Sequence, residues 1–251
     1  MNYMTQIEYT VYRLSFMEYL LYGIIYLSIS ATVSFLFYDS LIPVIVLLPF
    51  IIIYYRCIGN FLCRRRKDSL ILQFRDMLHS VSASLNSGYS IENSIKEANT
   101  EMTVLYGRTS YICNELDLMS KKLAINIPVE KIFSDFSIRS QCNDIIMFSQ
   151  ILMIAKRNGG DLIAIIKSSS KTIGEKIDIN REITTALSSR KYEQNIMFLM
   201  PVVIMIYIRL SSDGFFEPVY HNITGILIMS ICLILYILAV VTGLKLSAVK
   251  I

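Results

Sequence analysis

Four stretches that carry almost no charge constrain this chain more than any other feature. Residues 19–38 hold no charged side chain. Residues 41–55 hold none, and past a single Arg56 the apolar run continues to Cys63. Residues 194–208 are uncharged but short, and reach spanning length only if Arg209 extends its guanidinium toward the far interface. Residues 218–244 are uncharged throughout. A helix needs about 20 apolar residues to cross roughly 30 Å of hydrocarbon. Backbone in lipid must satisfy its own hydrogen bonds, so each stretch predicts a spanning helix. Asp39 and Ser40 alone separate the first two, which predicts a tight helical hairpin. The second pair is joined through Ser211 to Tyr220, where Gly214 and Pro218 interrupt helix, predicting a second hairpin.

Between the pairs lies a polar block, residues 64–193, which holds 34 of the 44 charged side chains. The overall figures, 54% hydrophobic and 18% charged, are therefore an average over two unlike parts. Apolar residues this abundant exclude intrinsic disorder. Of 24 Lys and Arg, 19 fall in the block. It opens with Arg64, Arg65, Arg66 and Lys67 and closes with Arg190 and Lys191, while Lys245 and Lys250 follow the last apolar stretch. The short connectors carry Asp39, Asp213 and Glu217. Cytoplasmic loops are enriched in Lys and Arg, so both termini and residues 64–193 are expected on the cytoplasmic side of a cell membrane. Arg64–Lys67 then anchor that topology and face anionic lipid head groups. A net charge of +4 is a mild field, not the dense basic stripe of a nucleic-acid binder. Ser28, Ile29 and Ser30 before Ala31 make a loose signal-peptidase match, but a charged and overlong leading region argues for retention of the first span.

Helical periodicity runs through the block. Phe74, Met77, Leu78, Val81 and Leu85 share one helix face, which ends at Ser87-Gly88. Ser90 is placed to cap a helix whose apolar face is Ile91, Ile95 and Ala98. Further stripes are Ile112, Leu116, Met119, Leu123; then Val129, Ile132, Phe133, Phe136 behind Pro128; then Ile145, Phe148, Ile151, Leu152, Ala155. Asp161 caps a last helix through Leu162, Ile165, Ile166, Ile173 and Ile177, and no proline intervenes before Pro201. The expectation is an all-α polytopic membrane protein: a segment with a transmembrane hairpin at 1–63, a cytoplasmic bundle of about six helices at 64–193, and a second hairpin at 194–251.

Catalytic patterns are scarce. The sequence holds no H-E-x-x-H, phosphate-loop, dinucleotide or G-x-S-x-G motif. His79 and His221 are expected on opposite membrane faces. Five cysteines, Cys57, Cys63, Cys113, Cys142 and Cys232, form no C-x-x-C pair and read as small buried hydrophobes. Asp76, Glu92 and Glu97 could hold a cation, but a solvated face accounts for them equally. Neither an enzyme, a cofactor nor a metal is expected. A small transporter or channel component is the alternative, with Pro43, Pro49 and Pro201 as breaks. The spans lack the intramembrane charges that ion-coupled transport uses.

The order of features resembles a known family. The helix from Phe74 to Leu85 is followed by Ser87, Gly88, Tyr89, Ser90 and Ile91. Ala155, Lys156, Arg157, Asn158, Gly159, Gly160, Asp161 and Leu162 then lead into a long polar helix toward Pro201. Together these resemble the type II secretion F domain. With two spans on either side, the chain is similar to the TadB/TadC-type platform proteins of tight-adherence (Flp) pilus machines. That resemblance implies a non-enzymatic platform in the inner membrane, coupling a cytoplasmic secretion ATPase to a pilin or pseudopilin. It also implies a paralogous platform partner and a homo- or hetero-oligomer. Lys156, Arg157 and Asp161, with the turn glycines Gly159, Gly160 and Gly88, are candidate ATPase contacts. The turn at 158–161 reads equally as a helix C-cap followed at once by an N-cap.

Overall fold

The computed structural model describes residues 9, 14–40, 42–157, 161–212, 220 and 222–247. Among these the chain is helical and contains no strand. Helix α1 is Phe16–Tyr38, α2 is Ile42–Leu47, and a single 3-10 turn at Leu48–Phe50 carries Pro49 into α3, Ile51–Asn86. Then come α4 (Ile91–Tyr106), α5 (Tyr111–Ala124), α6 (Val129–Ser140), α7 (Asn143–Arg157), α8 (Leu162–Ser211) and α9 (Ile223–Ser247). Residue contacts divide the chain into two units. One comprises Tyr9 and 58–179, the other 14–57 and 180–247.

The first unit is built on the predicted stripes. Six helices, α3 to α8, contribute to its core. Phe74, Met77, Leu78 and Val81 of α3, Ile112 and Leu116 of α5, and Phe133 and Phe136 of α6 are all buried. Phe74 lies 5.9 Å from the Phe136 ring centroid and 5.5 Å from that of Phe148, and Phe133 lies 5.1 Å from Phe148. Edge-on and tilted packing of this kind adds to the area buried. The caps follow the sequence too. Ser90 Oγ accepts from the Asn93 N–H at 3.3 Å. Asp161 Oδ1 accepts from Ile163 and Ala164 at 2.9 and 3.2 Å.

One continuity joins the predicted pieces, and one stripe residue is corrected. Helix α3 runs unbroken from Ile51 to Asn86, through Arg64–Lys67. Arg and Lys are good helix formers, so a charge run marks a change of surroundings rather than a helix end. Ile151 is not a core residue; it is 44% exposed, beyond the edge of the stripe formed by Phe148, Leu152 and Ala155. Met147 and Ile154 are exposed as well, so α7 is apolar on most of its circumference and periodicity did not separate its faces.

Among the described residues, four helical segments are long and apolar enough to cross a membrane: Phe16–Tyr38, the apolar part of Ile42–Asn86, Arg190–Ser211 and Ile223–Leu244. Large apolar side chains along them, Leu21, Ile24, Ile52, Met197, Ile204 and Leu235 among them, are exposed, as a lipid-facing surface requires. Within this unit, Tyr55 Oη donates to the Tyr19 carbonyl at 2.8 Å, and the Tyr26 and Tyr54 rings lie 5.1 Å apart. Gly23 permits that approach, because a Cβ there would sit 2.7 Å from Tyr55 Oη. Helix α8 is 50 residues long and keeps Pro201 inside it.

Candidate functional site

The α3–α4 turn uses Gly88 in the left-handed region, φ 87°, with the Tyr89 N–H donating to the Ser84 carbonyl at 3.2 Å. That closes the helix end as its sequence predicts. Four residues on, Glu92 lines a cleft of about 200 Å³ together with Ile91, Ile127, Leu152, Glu130 and Lys156. The structure thus brings the first turn of α4 beside the last turn of α7. Lys156 Nζ donates to Glu130 Oε2 at 2.7 Å, so this candidate contact is already ion-paired. Arg157 is exposed. Asp161 caps α8 with its carboxylate. Gly159 and Gly160 lie outside the described residues.

Of the proposed topology anchors, Arg64 and Arg65 are exposed. Arg66 instead stacks over Tyr9 and Tyr111, 4.7 and 5.2 Å from their ring centroids, and Lys67 Nζ donates to the Gln141 carbonyl at 3.5 Å. Asp76 takes hydrogen bonds from the Arg75 guanidinium and the Tyr106 hydroxyl. Asp76 lines one cleft and Glu92 another, and no group of three or more metal-binding side chains forms among the described residues.

A heavily buried polar cluster in this unit was not among the residues singled out from the sequence. Glu115 is 2% exposed. Arg139 grips it with both terminal nitrogens, at 2.7 and 2.6 Å, and Tyr9 Oη donates to Glu115 Oε1 at 3.1 Å. Asp135 bridges Arg139 to Lys122. Burial drives the Tyr9 phenol far above its ordinary range, and the Glu115 carboxylate adds to the shift, so the hydroxyl stays a donor. Burial opposes the charge on Arg139, but hydrogen bonds and charge from Glu115 and Asp135 outweigh it and hold the proton more tightly. A signal was present for two members. Glu115 sits within the stripe Ile112, Leu116, Met119, and Arg139 is one turn beyond Phe136 on its own stripe. Tyr9, more than 100 residues from its partner in sequence, had none.

Two carboxyls of this unit give it a pH dependence. Burial alone would raise Asp135 and Glu130. Lys122 and Arg139 outweigh it at Asp135, Lys156 outweighs it at Glu130, and both end below the ordinary carboxylate range. Such groups bind protons more weakly folded than unfolded. Their stabilisation is present above the unfolded value, near pH 4, and is lost as pH falls through the folded one. Thermal unfolding followed from pH 7 downward is expected to show the loss of this stabilisation as pH falls through about 4 and below. The double change Lys122→Gln, Lys156→Gln is expected to flatten that decline.

In the other unit, Arg209 finds its partners at the C-terminal end of α1. Its guanidinium donates to the Phe35 carbonyl at 2.5 Å and to the Asp39 carboxylate, and lies 3.7 Å over the Phe35 ring. Asp39 is the left-handed C-cap of α1, φ 49°, so the arginine satisfies the carbonyl end of that helix, where a cation is favoured. Tyr220 Oη donates to the Leu36 carbonyl at 2.6 Å at the same end. No family model, curated protein or solved structure matches this chain.

Proposed function

We propose that this chain is an inner-membrane platform protein of a type IV or Flp pilus, or of a type II secretion-like machine. In this reading two transmembrane hairpins flank a cytoplasmic helical domain, and both termini are cytoplasmic. The concentration of Lys and Arg in 64–193 supports that orientation. So does Tyr9, buried with that block although it precedes the first span. The resemblance of the 74–91 and 155–162 segments to the type II secretion F domain supports the assignment to this class of machine.

The observation that carries the reading is α8. One helix begins on the core, with Ile166 and Ile173 buried, and ends at Ser211 past an apolar span. A continuous helix transmits displacement as a rod, whereas a loop would absorb it. Removing a pilin helix from the bilayer exposes some 20 apolar residues at about 1.5–3 kcal/mol for each large side chain, a cost of tens of kcal/mol. This chain has no nucleotide-binding motif, so the work comes from a cytoplasmic ATPase, and the platform conveys it to the pilin or pseudopilin. A paralogous platform subunit and further copies of this chain complete the assembly.

The test is deletion in the native host with complementation, combined with affinity purification of the tagged full chain. Loss of surface filaments or pseudopilus-dependent secretion, and recovery of a secretion ATPase with the tag, are expected. Normal filaments and secretion in the deletion strain would overturn the proposal, as would solute transport by the purified chain in liposomes.

A further inference from the structure

A proline inside a spanning helix leaves a backbone carbonyl without its N–H partner, and lipid cannot supply another. Pro43 loses nothing, because it lies in the first turn of α2, where an N–H has no intrahelical acceptor. Pro49 and Pro201 are placed differently. At Pro49 the backbone leaves α geometry for the 3-10 turn at Leu48–Phe50, and Tyr26 Oη of α1 donates to the Leu47 carbonyl at 2.5 Å. At Pro201 helix α8 continues, and Tyr236 Oη of α9 donates to the Phe198 carbonyl at 2.5 Å. In each case a tyrosine of a neighbouring helix ties down a carbonyl shortly before the proline.

Pro201 also stands between attachments to two different helices. Before it, Gln194 and Phe198 lie against α9 at Gly243, where a Cβ would sit 2.5 Å from Gln194 Nε2 and 2.6 Å from the Phe198 ring. That close approach and the Tyr236 bond hold this part of α8 to α9. After it, Arg209 donates to the Phe35 carbonyl and the Asp39 carboxylate at the end of α1. The end of α1 is tied in turn to the first half of α9, with Tyr38 Oη and Ser230 Oγ 2.8 Å apart. The turn 197–201 lacks the Pro201 donor, and the proline ring crowds the Met197 carbonyl, so α8 bends most readily there. A weak turn between two held segments is the arrangement a hinge requires. The Tyr236 hydroxyl meets α8 within that turn.

We infer that Pro201 is a hinge in α8 and that the Tyr236 hydroxyl is its clasp. With the bond made, the part of α8 before Pro201 stays against α9; with the bond released, that part swings away. The inference does not depend on which machine the chain serves. Pulsed electron paramagnetic resonance on the full chain in nanodiscs tests it. Ketone-bearing residues at positions 17 and 192, both exposed, carry the nitroxides and leave the five cysteines untouched. Position 17 is a fixed reference, because Tyr55 holds the Tyr19 carbonyl of α1. Position 192 lies nine residues before Pro201, about 14 Å of helix, so a bend of about 20° moves its label by about 5 Å. The wild-type chain is expected to give one narrow distance. Tyr236→Phe is expected to broaden or shift it by about 5 Å. Tyr236→Phe with Pro201→Ala is expected to return it to the wild-type width, a rescue that a misfolded chain would not show. Tyr38→Phe, which removes a different hydroxyl contact between helices, is expected to leave it unchanged. A wild-type distribution in Tyr236→Phe would overturn the inference. So would broadening that persists after Pro201→Ala, or equal broadening in Tyr38→Phe.

Discussion

Glu115→Ala is expected to destabilise the helical unit by about 3–5 kcal/mol, because it leaves the Arg139 guanidinium buried without its bidentate partner. The Arg139 side chain is only 9% exposed, so water cannot take the place of the carboxylate without opening the packing around it. Asp135 still contacts Arg139, at 3.2 Å, but is itself shared with Lys122 and compensates only in part. Tyr9 also loses its acceptor, leaving a phenol buried with nothing to donate to. The paired change Glu115→Leu, Arg139→Met is expected to recover most of that loss, since it removes both charges and their desolvation cost together and leaves only the Tyr9 hydroxyl without its acceptor. Thermal unfolding of the full chain in detergent, followed by proteolysis within 58–179, distinguishes the outcomes. Unfolding of Glu115→Ala within about 0.5 kcal/mol of wild type would show that the cluster is not the keystone its burial indicates.

The largest functional effect is expected in α8. Glycines inserted between Lys176 and Arg190 are expected to abolish filament assembly or secretion in the native host while expression and membrane insertion remain normal. Each glycine costs about 1 kcal/mol of helix stability relative to alanine, and several in succession turn a rod into a hinge. A control separates continuity from length. Four inserted alanines lengthen the helix but rotate its distal part by only about 40°, and are expected to retain much of the activity. Activity after glycine insertion equal to wild type would rule out mechanical transmission through this helix while leaving the fold untouched.

Much of the fold was legible because the signals are local. The stripe Phe74, Met77, Leu78, Val81 and Leu85, the Ser90 and Asp161 caps, and the Gly88 stop each rest on residues within a few positions of one another. The uncharged stretches were legible for the same reason: length and composition decide whether a helix can cross hydrocarbon. The single helix from Leu162 to Ser211 was readable from the absence of an early breaker, and Pro201 proved tolerable within it. The continuity of α3 through Arg64–Lys67 has no such local mark, because a run of good helix formers neither starts nor stops a helix.

The candidate site was less legible, since partners distant in sequence make it. Lys156 was nominated as an exposed contact, and only folding brings Glu130 to 2.7 Å from it. Arg209 was expected to stretch toward an interface, and its acceptors belong to a helix terminus 170 residues earlier, which no local pattern names. Arg66 belonged to a basic run, and Tyr9 and Tyr111 set it apart from its neighbours.

The sequence by itself determined that the chain is helical, where its apolar spans fall and which faces of α3 to α6 are buried, because helix periodicity and bilayer thickness act on contiguous residues. Tertiary structure alone decided that Tyr9, Glu115 and Arg139 share one buried cluster, that Lys156 is paired, and that α3 and α8 wall a groove. Those outcomes depend on which side chains lie within a few ångströms after packing, and charge in a buried or half-buried setting is governed by that distance rather than by position along the chain.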